Sequence, residues 1–351
     1  MLKPRTSILN LSPYRSPIVS RAGLCLDLNE NMAGCSPRVL ARLRALTATE
    51  VSRYPQREDG ERLVAAHLGI TPEQVLLTNG IDDALALLFS AYLGAGDELM
   101  FADPTFVMYP MLGQAYGARI VRLRSGEDLA LPVAEFLRHI SPRTRVIAIA
   151  NPNNPTGLVA CRSDLLQIVE SAPWSAVLID EAYFEFCGET LIGDLARYPN
   201  LFAARTFSKA YGLAGLRLGA LTGDAEQIGC IRRFCPPFNT NAAALACLEA
   251  ALGDQAFARD CVELARRGCR QIESLCKELG LRCWPSSTNF VLVRVGASAA
   301  FVEAMRKRGV IVRDASGIPG CEGCVRITAG TSAQMGAVLW AMREAVAEVR
   351  P

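Results

Sequence analysis

Lysine is scarce in this sequence. Of 37 basic residues only four are lysine, at positions 3, 209, 277 and 307, and the others are arginine. Where positive charge alone is needed, the chain uses arginine. A guanidinium stays protonated and is a poor nucleophile, so arginine cannot form an imine. Histidine is scarcer: His67 and His139 are the only two. Both fall in helix-like stretches without a nucleophile motif, which speaks against a Ser-His-Asp hydrolase. Neither stands at metal-ligand spacing. The 13 cysteines are odd in number and scattered. A secreted disulfide framework is short and evenly paired, so reduced thiols in a cytoplasmic protein are the expectation. The one Cys-x-x-Cys, Cys321 and Cys324, lacks the two further ligands that zinc needs, and no metal is expected. Long apolar runs are missing as well. Met1–Asn10 has no signal-peptide core, and Ala84–Leu93 is too short to cross a bilayer. With 37 basic and 35 acidic residues, the chain has no basic excess for nucleic acid.

Half the residues are hydrophobic, enough for a sizeable core, and 351 residues allow two domains or one large one. Short apolar runs alternate with helical patterns over much of the chain. Val75–Leu77, Glu98–Phe101, Arg119–Leu123, Arg145–Ala150, Ala176–Asp180, Leu201–Thr206 and Arg217–Leu221 read as strands. Ile81–Leu93, Phe106–Tyr116, Pro132–Ile140 and Ser163–Ser171 read as helices. That order predicts βαβ units: an α/β fold with a mostly parallel central sheet and helices on both faces. After Pro236 the style changes. Long helices (Ala242–Leu252, Phe257–Leu279, Ser332–Val349) surround strands Asn289–Val295, Val310–Arg313 and Val325–Thr328. A large domain over 38–235 is expected, with a smaller α+β domain built from 236–351 and the arm 1–37.

Ligands of such sheets bind beyond the carboxyl ends of the strands, and notable polar residues fall there. Lys209 sits among small and apolar neighbours in Thr206-Phe-Ser-Lys-Ala, a setting that lowers an amine pKa by desolvation. Asp180 leaves a dry strand and needs a positive partner. The pyridinium nitrogen of pyridoxal phosphate is such a partner, and an ionised Asp180 keeps that ring an electron sink. Tyr183 is in reach of the same ring's phenolic oxygen. Asn151-Pro-Asn-Asn-Pro-Thr-Gly157 forms a tight turn that can hold Asn154 over a ligand. Thr206, Ser208 and Arg217 can hold a phosphate, as can the backbone of Gly80, Ile81 and Asp82 at a helix start. Each element also has a plain alternative: a polar loop, a strand-end helix cap, a glycine-rich turn.

Taken in order, Asn-Pro-Thr-Gly, Asp-Glu-Ala-Tyr, Ser-Lys and an Arg eight residues after the Lys resemble the fold-type-I pyridoxal-phosphate aminotransferases. The match covers nearly the whole chain. Leu11-Ser-Pro-Tyr14, Leu28-Asn-Glu-Asn31, Ser52-Arg-Tyr-Pro55, Phe106-Val-Met-Tyr109, Phe184-Glu-Phe186, Ile311-Val-Arg-Asp314 and Val325-Arg-Ile-Thr-Ala-Gly-Thr331 narrow it to the histidinol-phosphate aminotransferases. The resemblance implies a homodimer in which Tyr54 reaches the cofactor phosphate of the neighbouring subunit. It implies that Tyr109 stacks on the pyridine ring and that Asn154 and Tyr183 hold its phenolic oxygen. It implies a substrate site of Arg326, Arg313, Asn154 and Tyr14, with Lys209, Asp180 and Tyr183 catalytic. Two departures stand out: Met32 where the family has proline, and Gly-Ile-Asp-Asp at 80–83 where Asp-Glu is usual. An aromatic or other aminotransferase, a threonine-phosphate decarboxylase and a non-catalytic binding protein of the same fold are the alternatives.

Overall fold

The computed structural model describes residues 2–11 and 22–349. Its strands are β1 Leu24–Leu26, β2 Val75–Thr78, β3 Glu98–Asp103, β4 Arg119–Arg124, β5 Thr144–Ala150, β6 Ala176–Asp180, β7 Leu201–Thr206, β8 Gly219–Gly223, β9 Arg282–Cys283, β10 Phe290–Arg294, β11 Val310–Asp314 and β12 Cys324–Thr328. They form a seven-stranded sheet, order β2-β8-β7-β6-β5-β3-β4, and a five-stranded one, order β1-β11-β12-β10-β9. In the larger sheet β8 runs antiparallel to both neighbours and every other pair is parallel.

Parallel strands joined by crossover helices are covered on both faces, so they read as continuous apolar runs. Along β5, Val146 and Ala148 enter one hydrophobic cluster, where helices Ile81–Tyr92 and Met108–Tyr116 pack. Ile147 and Ile149 enter another, with helices Val133–His139 and Arg162–Ser171. Period-2 alternation thus assigns each side chain to one helical layer. The edge strand β4 exposes Arg119, Arg122 and Arg124, charges that discourage further strand pairing. In the smaller sheet Val291 and Val293 of β10 face a cluster shared with helices Gln255–Glu278, Ser298–Lys307 and Ser332–Val349. β1, from the N-terminal segment, pairs in parallel with β11.

One expected strand is displaced. Arg217–Leu221 read as extended, but β8 starts at Gly219 because Arg217 is left-handed, with φ of 53°. That turn sends its guanidinium toward Gly80 and Asp82. Among the described residues, no helix is long and apolar enough to cross a membrane.

Candidate active site

The parallel strands end in line. Ala150 of β5 lies opposite Asp180 of β6, which lies opposite Ala204 of β7. The three polar loops that follow therefore open on one cavity of about 240 Å³. Asn154, Asp180, Tyr183, Thr206, Ser208, Lys209, Arg217, Ile81 and Asp82 line it, together with Phe106, Leu28 and Glu30. A second cavity, about 330 Å³, shares Leu28, Phe106, Asn154, Tyr183 and Lys209 with the first and adds Arg313 and Arg326.

At the base, Asp180 is buried. Its Oδ2 accepts from the Tyr109 hydroxyl at 2.8 Å and its Oδ1 from the Ala182 N–H at 3.1 Å. Burial pushes its carboxyl up to about 6 against the downward pull of those two hydrogen bonds. Among the described residues no basic side chain makes an ion pair with it. Lys209 Nζ donates to the Leu28 carbonyl at 3.1 Å. Burial first, then the Arg326 charge, brings its ammonium down to about 8. Tyr183 is pushed up to about 12 by burial, and its hydroxyl accepts from Asn29 Nδ2 at 2.7 Å.

One end of the cavity is built for an anion. Helix Ile81–Tyr92 starts at Gly80, whose φ is 82°. A Cβ at Gly80 would meet the Arg217 guanidinium at 2.5 Å, so glycine is what lets this arginine lie over the helix start. Arg217 Nη2 donates to Asp82 Oδ2 at 3.1 Å. Thr206 Oγ1 donates to Ser208 Oγ at 3.0 Å, which gathers both hydroxyls on the same side.

The second cavity holds two arginines. β11 and β12 are antiparallel, with Arg313 directly opposite Arg326. Arg326 donates to Asn154 Oδ1 and to the Asp27 carbonyl, both at 2.6 Å. Arg313 makes no ion pair among the described residues, and the Asp314 carboxylate turns to Ser316 instead. The pairing sets two guanidinium forks side by side, a geometry that matches carboxylate or phosphate.

Tyr109 departs from expectation. It does not stack in the cavity; it is wholly buried behind Asp180, held by the hydrogen bond just given. Helix Met108–Tyr116 starts just ahead of it, and the turn into that helix puts Phe106, its edge-on neighbour at 5.9 Å, on the cavity wall. The sequence reading passed over Phe106 although it opens the same Phe-Val-Met-Tyr motif. It also passed over the work of residues 27–29, which meet Arg326, Lys209 and Tyr183 in turn. The left-handed backbone of Asn29, φ 56°, gives that segment its bend. Tyr54 lies outside both cavities, 78% exposed and stacked on Phe238 at 4.3 Å. Tyr14 lies outside the described residues. Cys321 and Cys324 are buried free thiols, and among the described residues no group of three or more His, Cys, Asp or Glu is placed to hold a metal.

Residues 22–341 match the family described as "Aminotransferase class I and II". The chain is 37% identical over 332 residues to histidinol-phosphate aminotransferase 1 of Bacillus thuringiensis subsp. konkukian, covering 92% of this chain and 89% of that one. To histidinol-phosphate aminotransferase 2 of Pseudomonas fluorescens it is 40% identical over 337 residues, covering 92% and 88%. The crystal structure of the Sinorhizobium meliloti histidinol-phosphate aminotransferase in complex with pyridoxal-5'-phosphate superposes with a TM-score of 0.90, at 25% identity over 100% of this chain and 99% of that one. Sequence match and fold agree along almost the whole length, and the chain belongs to the class I and II aminotransferases.

Proposed function

We propose that this enzyme exchanges an amino group between the glutamate/2-oxoglutarate and histidinol phosphate/imidazole-acetol phosphate pairs, a step of histidine biosynthesis. The observation that carries the reading is the facing of Arg313 and Arg326 at a cavity that also contains Lys209. Glutamate brings two carboxylates to such a site, whereas histidinol phosphate brings a phosphate and no carboxylate. A guanidinium fork matches either group, so fixed arginines can serve both substrates in turn.

The cofactor is pyridoxal 5'-phosphate, and the residues present fit it. A buried carboxylate without a basic partner suits a protonated ring nitrogen, and the Gly80–Arg217 cradle suits a phosphate. When bound, the cofactor supplies an electron sink for the bond broken at the substrate carbon. Asp180 would hold its ring nitrogen, and Asn154 and Tyr183 its phenolic oxygen. Thr206, Ser208, Arg217 and the backbone at 80–82 would hold its phosphate, with Phe106 packed on the ring. Lys209 is the attachment point and the base. An amine brought down to about 8 is partly neutral at physiological pH, and it can take a proton from the substrate carbon and return it elsewhere. Arg326 and Arg313 fix the substrate's anionic groups and so its orientation, which selects the bond that reacts.

We read the working form as a cytoplasmic homodimer, with Tyr54 reaching the neighbouring subunit's phosphate cup. Its exposed stack with Phe238 supports this, as do exposed Val51 and Phe234, near the two rings in sequence. We further divide the chain into a large domain, 38–235, and a small one from 1–37 and 236–351; the two separate sheets support that division. The test of the substrate is a donor panel of histidinol phosphate, phenylalanine, tyrosine, leucine and threonine phosphate, compared by kcat/KM. Histidinol phosphate should lead by a wide margin. Phenylalanine matching it would leave only the aminotransferase assignment, and carbon dioxide release from threonine phosphate would favour decarboxylation.

A further inference from the structure

Away from the cofactor cavity, a chain reversal brings two cysteines together. Helix Gln255–Glu278 ends before Gly280, whose φ of 60° turns the chain back on itself. The Leu281 N–H then donates to the Cys276 carbonyl at 2.8 Å. β9 follows as the edge strand of the smaller sheet, with Cys283 opposite Val293 of β10. Val293 and Cys276 belong to one hydrophobic cluster, and Cys283 packs against it. The two thiols are in hydrogen-bond contact. Cys276 is fully buried and Cys283 half-buried.

We propose that Cys276 and Cys283 are a redox modification site, forming a reversible intramolecular disulfide when a peroxide reaches Cys283. The pair is asymmetric in the way this chemistry needs. Cys283 is half-buried and within reach of a small peroxide whereas Cys276 is fully buried, and the hydrogen bond donated by Cys276 favours the Cys283 thiolate. A thiolate is the nucleophile, so the half-buried member reacts first. Its sulfur attacks the peroxide and the O–O bond breaks. With hydrogen peroxide this leaves a sulfenic acid on Cys283 and releases a hydroxide that is protonated to water. The Cys276 sulfur then attacks the sulfenic sulfur. The S–S bond forms, the S–O bond breaks, and the leaving hydroxide takes the Cys276 proton as a second water. Two thiols have lost two electrons and two protons, and the peroxide has gained them. Cys321 and Cys324 do not share this asymmetry: burial pushes both thiols up, Cys321 to about 12.

The position gives the cross-link something to act on. Beyond β9, the Ser286 N–H donates to Glu273 on the same helix at 3.0 Å. The Ser287 N–H donates to the Gly157 carbonyl at 2.8 Å, at the end of the loop that carries Asn154. Asn289 Nδ2 donates to the Asn29 carbonyl at 3.0 Å. A disulfide at 276–283 would tie the helix to the strand at the root of this segment.

The test uses the holoenzyme exposed to hydrogen peroxide, alkylated and digested with trypsin without reduction. Lys277 and Arg282 lie between the two cysteines, so trypsin separates Gln271–Lys277 from Cys283–Arg294, each with a single cysteine. The expected product is these two peptides joined, lighter than their sum by the hydrogens lost, and parted by dithiothreitol. In Cys276→Ser the joined product should vanish and dimedone should capture a sulfenic acid on Cys283. Cys161 is exposed and serves as the internal control for oxidant delivery. If Cys161 is oxidised while the two peptides stay separate, or if dimedone labels Cys283 equally with and without Cys276, the proposal is overturned.

Discussion

Replacing Tyr109 with phenylalanine should move the pH at which the cofactor is held. The substitution removes one hydroxyl and keeps the ring that packs against Phe101 and Phe106. What is lost is the hydrogen bond to Asp180 Oδ2 at 2.8 Å. A hydrogen bond to a charged group is worth about 1.5–3 kcal/mol, which corresponds to roughly 1–2 pKa units. Asp180 already stands at about 6, raised above its ordinary value by burial, and the tyrosine is one of the two hydrogen bonds holding it down. Without it the carboxyl should titrate near roughly 7–8 by the same conversion. A raised carboxyl is ionised only above its folded pKa. At pH 7 the ionised fraction should therefore fall from about nine-tenths to between about a tenth and a half. A protonated Asp180 cannot pair with a protonated ring nitrogen, so cofactor affinity should weaken most around neutrality and recover as pH rises. The assay is the dissociation constant of pyridoxal phosphate for the apoprotein across pH, variant against wild type. The cofactor's own titrations are common to both curves and cancel in the ratio. Superimposable curves, with affinity within twofold at every pH, would refute the argument. A uniform loss at all pH would mean that Tyr109 only shapes the fold.

Other expectations follow from single residues. Arg326→Ala should lower kcat/KM for glutamate and histidinol phosphate by roughly 30-fold or more, since truncating one partner of a buried charged contact costs about 2–5 kcal/mol; Arg313→Ala should hurt phosphorylated donors more than phenylalanine, and equal losses would count against its role. Burial raises the Glu185 carboxyl to about 7, and its Oε2 has no hydrogen-bond partner among the described residues. A raised folded pKa means the stability it contributes is complete below its ordinary 4.5 and is lost as pH rises through about 7. Glu185→Gln should therefore resist urea better than wild type at alkaline pH, by on the order of 3 kcal/mol, with the gap closing in acid; a gap independent of pH would contradict this. Lys209→Ala mixed with Tyr54→Phe should regain activity through hybrid dimers, each with one intact shared site, whereas no recovery after subunit exchange would separate Tyr54 from the site.

The large sheet was legible because its central strands are buried on both faces and its helices are amphipathic, so period and length told them apart. Helix Arg57–Leu68 was not read, and its composition explains why. Arg57 and Glu61 are buried as an ion pair at 3.0 Å, and Glu61 also takes Arg232. Charges that face the core break the apolar stripe that marks a helix. β1 and β9 have three and two residues, too few to alternate. In the site, Lys209, Asp180 and Arg217 stood out because each is chemically odd where it falls. Tyr109 and Phe106 could not be sorted by sequence alone. Three residues apart at the entry to a helix, their placement depends on where that helix begins, and boundaries are what periodicity fixes least well.

The arrangement of charge explains why these residues cohere. Lys209, Arg217, Arg313 and Arg326 all line the joined cavities, whereas Asp180 is the carboxylate buried at their base. Burying Asp180 with no cation beside it among the described residues costs the fold free energy. Pyridoxal phosphate would relieve that cost, with Asp180 holding its ring nitrogen and Arg217 its phosphate, and Lys209, Arg313 and Arg326 would be left to meet an anionic substrate. The neutral fraction of Lys209 follows from the same field, because Arg326 adds to burial in lowering its pKa. A substrate anion that neutralises Arg326 should therefore raise the Lys209 pKa, making the amine a stronger base while shrinking its neutral fraction. Substrate binding and the proton affinity of Lys209 are thus coupled through one guanidinium, which also donates to Asn154 Oδ1 at 2.6 Å.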